Sequence, residues 1–278
     1  MEVEILTVPY DSGYKNIRMG RGPSYLVENG LVEQIKNRGH RVFFDSIEND
    51  SDFTPEISNS FRLNELLSER VRQCVLQKRF PFILSGNCNS CVGIIAGLGS
   101  EIGIIWLDNH ADMNTPETTT SGFLDGMGLA MSLGLCWRSM CTAIEGFAPI
   151  EGNKTIHIGS RNISDKETEN FIKTNTTLIE SKQIREQTAD ILTPALESLI
   201  KKVHKVYLHL DIDVFDPSVA KANSYQEKDG LTLEDVIHII RKIKKRFIIS
   251  ACTIVSYDPK YGDSQTLDVI TRAIEEIV

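Results

Sequence analysis

Asp108, His110 and Asp112 follow directly on the apolar run Ile104-Ile105-Trp106-Leu107, spaced two residues apart. Alternate side chains of an extended chain share a face. Two carboxylates and an imidazole therefore converge if the backbone stays extended past the strand end. A second stretch has the same design: Val206-Tyr207-Leu208-His209-Leu210 runs into Asp211 and Asp213, with Asp216-Pro217 just beyond. Such donors suit one or two hard divalent cations, Mn²⁺ ahead of Zn²⁺. One D-x-H-x-D stretch is weak by itself, because Asp at a strand end also serves ordinary turns. Two such ends facing one cleft say more, since carboxylates and imidazole gathered without a cation repel one another or stay unpaired. By the same alternation His209 lies on the side of Asp211 and Asp213, one pleat deeper. It either steadies a carboxylate, as metal sites require, or is a hydrogen-bonded core residue.

These ends have to be carried by a sheet. Strands are expected at residues 3–8, 41–44, 80–84, 104–107, 154–158, 177–180, 206–213 and 247–256. Helices are expected at 23–38, 57–78, 89–98, 125–133, 165–173 (capped by Asp165), 192–203, 232–245 (a capping-box start at Thr232 and Asp235) and 264–277. Residues 9–23 read as a Gly-rich loop, 113–122 as a polar loop and 215–230 as a long loop, while 134–153 is ambiguous. Strand and helix alternate with no disordered linker and no repeat. That predicts one α/β domain over residues 1–278, three αβα layers around a mostly parallel sheet. Ligands of such sheets bind outside the carboxyl ends of the strands, where the acidic stretches fall.

The 278 residues, 41% hydrophobic and 24% charged, have the composition of an ordinary soluble globular protein. A net charge of −8 and a pI near 5.4 argue against nucleic acid as a partner. No apolar stretch approaches the roughly 18 residues of a membrane span, and the N-terminus lacks the pattern of a signal peptide. A cytoplasmic location is expected. Six cysteines in this length do not read as a disulfide framework, and Cys74, Cys136, Cys141 and Cys252 read as packing residues. Cys88-x-x-Cys91 stands at a strand-to-helix junction, where a helix N-terminus lowers a thiol pKa. It reads as a redox or zinc clip, without a second cysteine pair to complete four thiolates, or Cys91 simply packs its helix.

From Val3-Glu4-Ile5-Leu6 to the last strand the chain resembles the arginase/agmatinase ureohydrolases. The likeness rests on Asp108-x-His110-x-Asp112, on Leu210-Asp211-Ile212-Asp213-x-x-Asp216-Pro217, and on the loop Asn114-Thr115-Pro116-Glu117-Thr118-Thr119-Thr120-Ser121-Gly122. The resemblance implies an arginase-like fold and a metal-dependent amidinohydrolase acting on a small guanidine-type amino-acid substrate. In that family two Mn²⁺ ions share the carboxylates aligned with Asp108 and Asp211, and a bridging hydroxide attacks the guanidine carbon to give urea and an amine. Asp108, His110, Asp211 and Asp213 would hold one ion. Asp108, Asp112 and Asp211 would hold the other, with a histidine from an earlier strand. Asn114, Thr119 and Ser121 would bind the substrate's carboxylate. Homo-oligomers are common in the family.

Four departures qualify that likeness. The family's G-G-D-H segment reads Ser85-Gly86-Asn87-Cys88, so Cys88 stands where the other histidine belongs. A softer thiolate favours Zn²⁺ or iron over Mn²⁺, which makes the second metal position weak, altered or absent. A family histidine assigned to proton shuttling aligns with Asp125, which alternatively caps the following helix. The glutamate that pairs with the guanidinium aligns with Ser256, although Asp258 offers an acid two residues on. The acidic residues that hold the substrate's amino group align near Asn162 and Ser164. Asp112, Asp125 and Asp211 are the catalytic candidates, and Asn114, Thr119, Ser121, Ser164 and Ser256 the substrate-binding ones. The expected substrate is an arginine derivative, with N-hydroxyarginine favoured because a less basic hydroxyguanidine depends less on a charge partner. The rival expectation is a family member that has lost catalysis and binds a ligand or partner.

Overall fold

The two acidic stretches leave the sheet side by side because the apolar runs before them are neighbours in register. A computed structural model describes residues 1–49, 55–186 and 190–278. Its main sheet contains β1 (Glu2–Val8), β2 (Arg41–Ser46), β3 (Phe80–Ser85), β4 (Gly103–Leu107), β5 (Thr155–Ile158), β6 (Thr177–Ile179), β7 (Lys205–Asp211) and β8 (Ile248–Val255). The order is β2-β1-β3-β8-β7-β4-β5-β6, and every neighbouring pair is parallel. Gly103 to Leu107 pair with Val206 to Leu210, so Asp108 and Asp211 emerge at one level. β3 and β8 flank β7 on its other side, and the loops after these four adjacent strands converge.

The helices are α1 (Gly22–Glu28), α2 (Leu31–Asn37), α3 (Glu56–Leu76), α4 (Cys91–Leu98), α5 (Gly128–Ser132), α6 (Arg138–Ala143), α7 (Asp165–Thr174), α8 (Ser181–Arg185), α9 (Leu192–Ile200), α10 (Leu233–Lys244) and α11 (Ser264–Ile277). They cover both faces, giving the expected αβα layering. One core joins Ile105, Leu107, Leu208 and Leu210 to α1, α2, α9, α10 and α11. The other joins Ile104, Trp106 and Tyr207 to α3 through α7. Central parallel strands buried on both faces read as near-continuous apolar runs, which is why the sequence shows these strands so plainly. No described helix is long and apolar enough to cross a membrane.

Local chemistry shifts several boundaries. The helix expected at 23–38 breaks in two around Gly30, which adopts φ +91, a conformation open to glycine. Thr232 and Asp235 do form a capping box. At α7 the cap is Ser164 rather than Asp165, with Glu167 closing the box. The Gly-rich loop holds a small hairpin (Tyr10–Asp11 with Tyr14–Lys15) and a 3-10 turn, Arg18–Arg21. The ambiguous stretch contains α6.

Gly86 seats that loop against the end of β3. A Cβ there would lie 2.2 Å from the Tyr10 carbonyl oxygen and 2.8 Å from Gly20 Cα, so backbone packs on backbone with no side chain to yield. Gly86→Ala is expected to lower stability by about 3 kcal/mol through overpacking, measured as a fall in the urea unfolding midpoint. An unchanged midpoint would refute the close seating.

Candidate metal centre

The two acidic stretches meet through turns, not through extended chain as their spacing suggests. β4 ends at Leu107, and Asp108 then accepts a 2.7 Å bond from the His110 amide. β7 ends at Asp211, which accepts a 2.7 Å bond from the Asp213 amide inside a 3-10 turn. Asp side chains commonly bond the backbone two residues on in this way. His110 Nδ1 lies 3.2 Å from Asp213 Oδ2 and 3.7 Å from Asp108 Oδ1. Ligand atoms of Asp108, His110 and Asp213 all lie within 4.8 Å of one another. Asn109 N donates to Asp213 Oδ1 at 3.3 Å, and Asn223 Nδ2 to Asp213 Oδ2 at 3.3 Å. Asp112 has φ +51 and stands outside this tight group, on the wall of the same cleft.

Cys88 faces the cleft, from a 3-10 turn after β3. Its Sγ donates to Asp211 Oδ2 at 3.2 Å and lies 3.5 Å from Ser256 Oγ. Cys91 points elsewhere, to the Gly128 carbonyl and Ser132 Oγ. All six cysteines are free and buried. Burial, then the surrounding carboxylates, pushes the Cys88 thiol well above its ordinary pKa, and burial does the same to Cys91. The low-pKa redox pair expected of the Cys-x-x-Cys spacing is therefore not what this geometry makes. Asp125 caps no helix. It accepts from Asn87 Nδ2 at 2.7 Å and from Asn89 N at 3.0 Å.

The buried aspartates Asp112, Asp125, Asp211 and Asp213 line this cleft, and buried Asp108 lies beneath it against His110. Burial raises Asp108 to about 6 and Asp125 to about 7, and raises Asp112 and Asp211 well above the usual range. Burial also opposes the charges of His110 and Asp213. Their mutual attraction wins, holding His110 protonated and Asp213 ionised. Arg161 makes no direct ion pair with the cluster among the described residues: its guanidinium donates to the carbonyls of Gly159, Val214, Asp213 and Glu227, although it feels the charges of Asp213 and Asp108. Asp112 Oδ2 is buried with no hydrogen-bond partner among the described residues. Buried anions of this density call for a cation, and the oxygen-rich set with one imidazole fits a hard divalent ion.

A cavity of about 500 Å³ opens over the cluster, lined by Asn114, Thr119, Ser121, Asp125, Ser256 and Glu167 among others. Ser164 is not on that wall, since its hydroxyl is taken up in the cap of α7, donating to Glu167 Oε2 at 2.7 Å. Asp258 also turns away and accepts from the Lys260 amide. A larger depression of about 730 Å³ lies beside α10, where Lys242 pairs with Asp190, away from the carboxyl ends of the strands.

The Arginase family model matches residues 1–278. The chain belongs to the arginase family. Arginase of Bacillus subtilis (strain 168) is 26% identical over 270 residues, covering 92% of this chain and 90% of its own length. Arginase-1 of Oryctolagus cuniculus is 27% identical over 308 residues, covering 99% and 90%. The solved structure of arginase from Bacillus caldovelox superposes with a TM-score of 0.89 at 24% identity, covering 99% of this chain and 97% of that one. That last likeness speaks to the fold.

Two residues of this arginase-family cleft escape a reading of its sequence. Glu167, buried on the cavity wall, accepts from Asn114 Nδ2 at 2.8 Å. Its Ser-x-x-Glu spacing from Ser164 is visible but signals only a helix start. Asn223 joins Asp213 to the Ser256 carbonyl, which it reaches at 2.9 Å. It sits in the long loop after β7 with no local pattern to mark it.

Proposed function

We propose that residues 1–278 form one ureohydrolase-like domain, a metal-dependent amidinohydrolase that cleaves a guanidine-type group from an amino-acid-derived small molecule, with N-hydroxyarginine as the favoured substrate. The carrying observation is the convergence of Asp108, His110 and Asp213 within 4.8 Å, with Asp211 bonded to the Asp213 amide alongside. Asp108, His110, Asp211 and Asp213 would hold Mn²⁺. A divalent ion there supplies Lewis acidity and a water of lowered pKa.

The chain's own residues do the rest. Asn114, Thr119 and Ser121 offer neutral donors on the cavity wall for a carboxylate, and Glu167 offers an anion for an ammonium group. Asp125, poised at about 7 by burial, is suited to holding or releasing a proton near neutrality. Ser256 presents a hydroxyl, not a carboxylate, to the cleft. Position 256 thus supplies no anion of its own for a guanidinium, which favours a less basic group. The six free thiols suit a reducing cytoplasm.

The test is urea release from arginine and from N-hydroxyarginine by Mn²⁺-loaded protein. Faster turnover of the hydroxylated substrate is expected. No turnover of either by protein carrying stoichiometric metal would overturn the substrate assignment. A chain that takes up no Mn²⁺ in excess would favour the rival reading, a binding protein without catalysis, for which Cys88, Asp125 and Ser256 are the motivating substitutions.

A further inference from the structure

We infer that Cys88, Asp108 and His209 form a metal position of thiolate, carboxylate and imidazole donors that takes Zn²⁺ in preference to Mn²⁺. In this arrangement His209 supplies the imidazole that position 88 does not. The inference goes beyond the proposed hydrolase reading and shares only Asp108 with its manganese set.

His209 is completely buried, and its Nε2 has no hydrogen-bond partner among the described residues. Its other nitrogen is engaged: Nδ1 lies 2.9 Å from the Tyr207 hydroxyl, which donates its proton to Thr253 Oγ1 at 2.9 Å. With the tyrosine proton committed, Nδ1 carries the imidazole hydrogen, and the lone pair of Nε2 is left free. One ring nitrogen of His209, Cys88 Sγ and a carboxylate oxygen of Asp108 lie within 4.8 Å of one another. Donors around a tetrahedral zinc, at about 2.0–2.3 Å from the ion, lie roughly 3.3–3.7 Å apart. The set therefore closes with side-chain movements of about 1 Å.

The surroundings hold two of the three donors in place. Trp106 is the cross-strand neighbour of His209. Its ring stacks on the imidazole at 3.5 Å between centroids and 6° between planes, and its Nε1 donates to Asp108 Oδ2 at 3.0 Å. One indole thus fixes both the imidazole plane and the carboxylate. The third donor, Cys88, is a thiol hydrogen-bonded to Asp211 Oδ2. Metal binding exchanges the S–H bond for an S–metal bond and releases that proton to solvent. Asp211 Oδ2 is then left beside the ion. A thiolate and an imidazole select zinc or cobalt, whereas the oxygen-rich group of Asp108, His110 and Asp213 selects manganese.

Metal-free full-length protein titrated with Co²⁺ tests this without reference to turnover. A near-ultraviolet thiolate-to-cobalt charge-transfer band is expected at one equivalent, displaced by equimolar Zn²⁺ and unmoved by a hundredfold excess of Mn²⁺. Cys88→Ser should abolish the band, and His209→Gln should weaken cobalt binding at least tenfold. Because His209→Gln alters a buried stack, a second readout uses the native imidazole. Trp137→Phe leaves Trp106 as the sole tryptophan of the two, and its emission should change with Zn²⁺ at the same midpoint. Cobalt binding without the band would overturn the proposal, as would His209→Gln binding within twofold of the parent with Trp106 emission unmoved by Zn²⁺. Protein that takes up Mn²⁺ but shows no band keeps the hydrolase reading and loses this one. Protein that shows the band but releases no urea does the reverse.

Discussion

Asp211→Asn is expected to strip the cleft of bound Mn²⁺ while making the metal-free protein more stable at pH 8. Both effects come from one buried carboxylate. Its Oδ1 accepts the Asp213 amide and its Oδ2 accepts the Cys88 thiol, and the neighbouring charges of Asp213 and Asp108 add to burial in raising its pKa. Asparagine keeps an oxygen for the Asp213 amide, so the turn that carries Asp213 survives. The anion is lost. Removing one buried like charge from the group relieves on the order of 1–3 kcal/mol in the metal-free state. Loss of a residue that merely supports a ligand costs roughly 10–100-fold in metal affinity or activity. Loss of an anionic donor should exceed that, on the order of 10³-fold in urea release. Metal content after dialysis and the thermal midpoint of metal-free protein are the two measurements. A variant that keeps its manganese, or one destabilised along with losing it, would show that Asp211 is a structural residue of the turn.

What a linear reading can and cannot find in this chain follows from how far each feature reaches. β4 and β7 were legible because central strands buried on both faces are continuous apolar runs, and the carboxylates stand at their ends in plain view. Asp108, His110 and Asp112 do not converge by the alternation of an extended chain. Asp108 and Asp211 each fold the chain back on its own side chain, and the tight group becomes Asp108, His110 and Asp213. Asp112, bent away at φ +51, reaches only the wall. Ser164 illustrates the opposite failure. An alignment position suggested a ligand contact, while Ser-x-x-Glu spelled out a capping box that consumes the hydroxyl. His209 lay beyond either kind of signal. Its pleat parity is readable, but its free nitrogen depends on Tyr207 and Thr253, brought together by the adjacency of β8 and β7. Strand order of that kind leaves no mark in local spacing.

The same crowding of anions predicts an unusual pH profile. Metal-free protein should lose stability as pH rises from about 4 to about 7, the reverse of the trend set by ordinary salt-bridged carboxylates. An unfolded aspartic acid titrates near 3.9, whereas burial holds Asp108 at about 6 and Asp125 at about 7 in the folded chain. Between those limits the folded state keeps protons that the unfolded state has given up, so raising the pH favours unfolding. Above about 7 Asp108 and Asp125 are ionised in both states and their penalty stays at its full size. Asp213 and Asp216, held low in the fold, act in the other direction. Their contribution is present above the unfolded value and is lost only as pH falls below about 4, outside this window. Buried His157, held at about 3, and His209, also held low by burial, do oppose the trend up to the unfolded histidine value near 6.5. They are two groups against the four raised carboxylates Asp108, Asp112, Asp125 and Asp211. For Asp125 alone the loss by pH 8 is on the order of 2–4 kcal/mol. Asp125→Asn should flatten the profile, keeping an acceptor for the Asn89 amide while giving up the bond from Asn87, whose Oδ1 is already committed to the Ser12 amide. That lost bond costs about 1 kcal/mol, less than the buried charge it removes. A divalent cation binding only the folded state at a hundred times its Kd should restore about 2.7 kcal/mol at pH 8, and far less at pH 5, where protons compete for the same oxygens. Chemical unfolding from pH 4 to 8, with and without Mn²⁺, measures all three. Stability that is level or rising from pH 5 to 8 without metal would mean that these carboxylates are solvated, and the cation would lose its reason for being there.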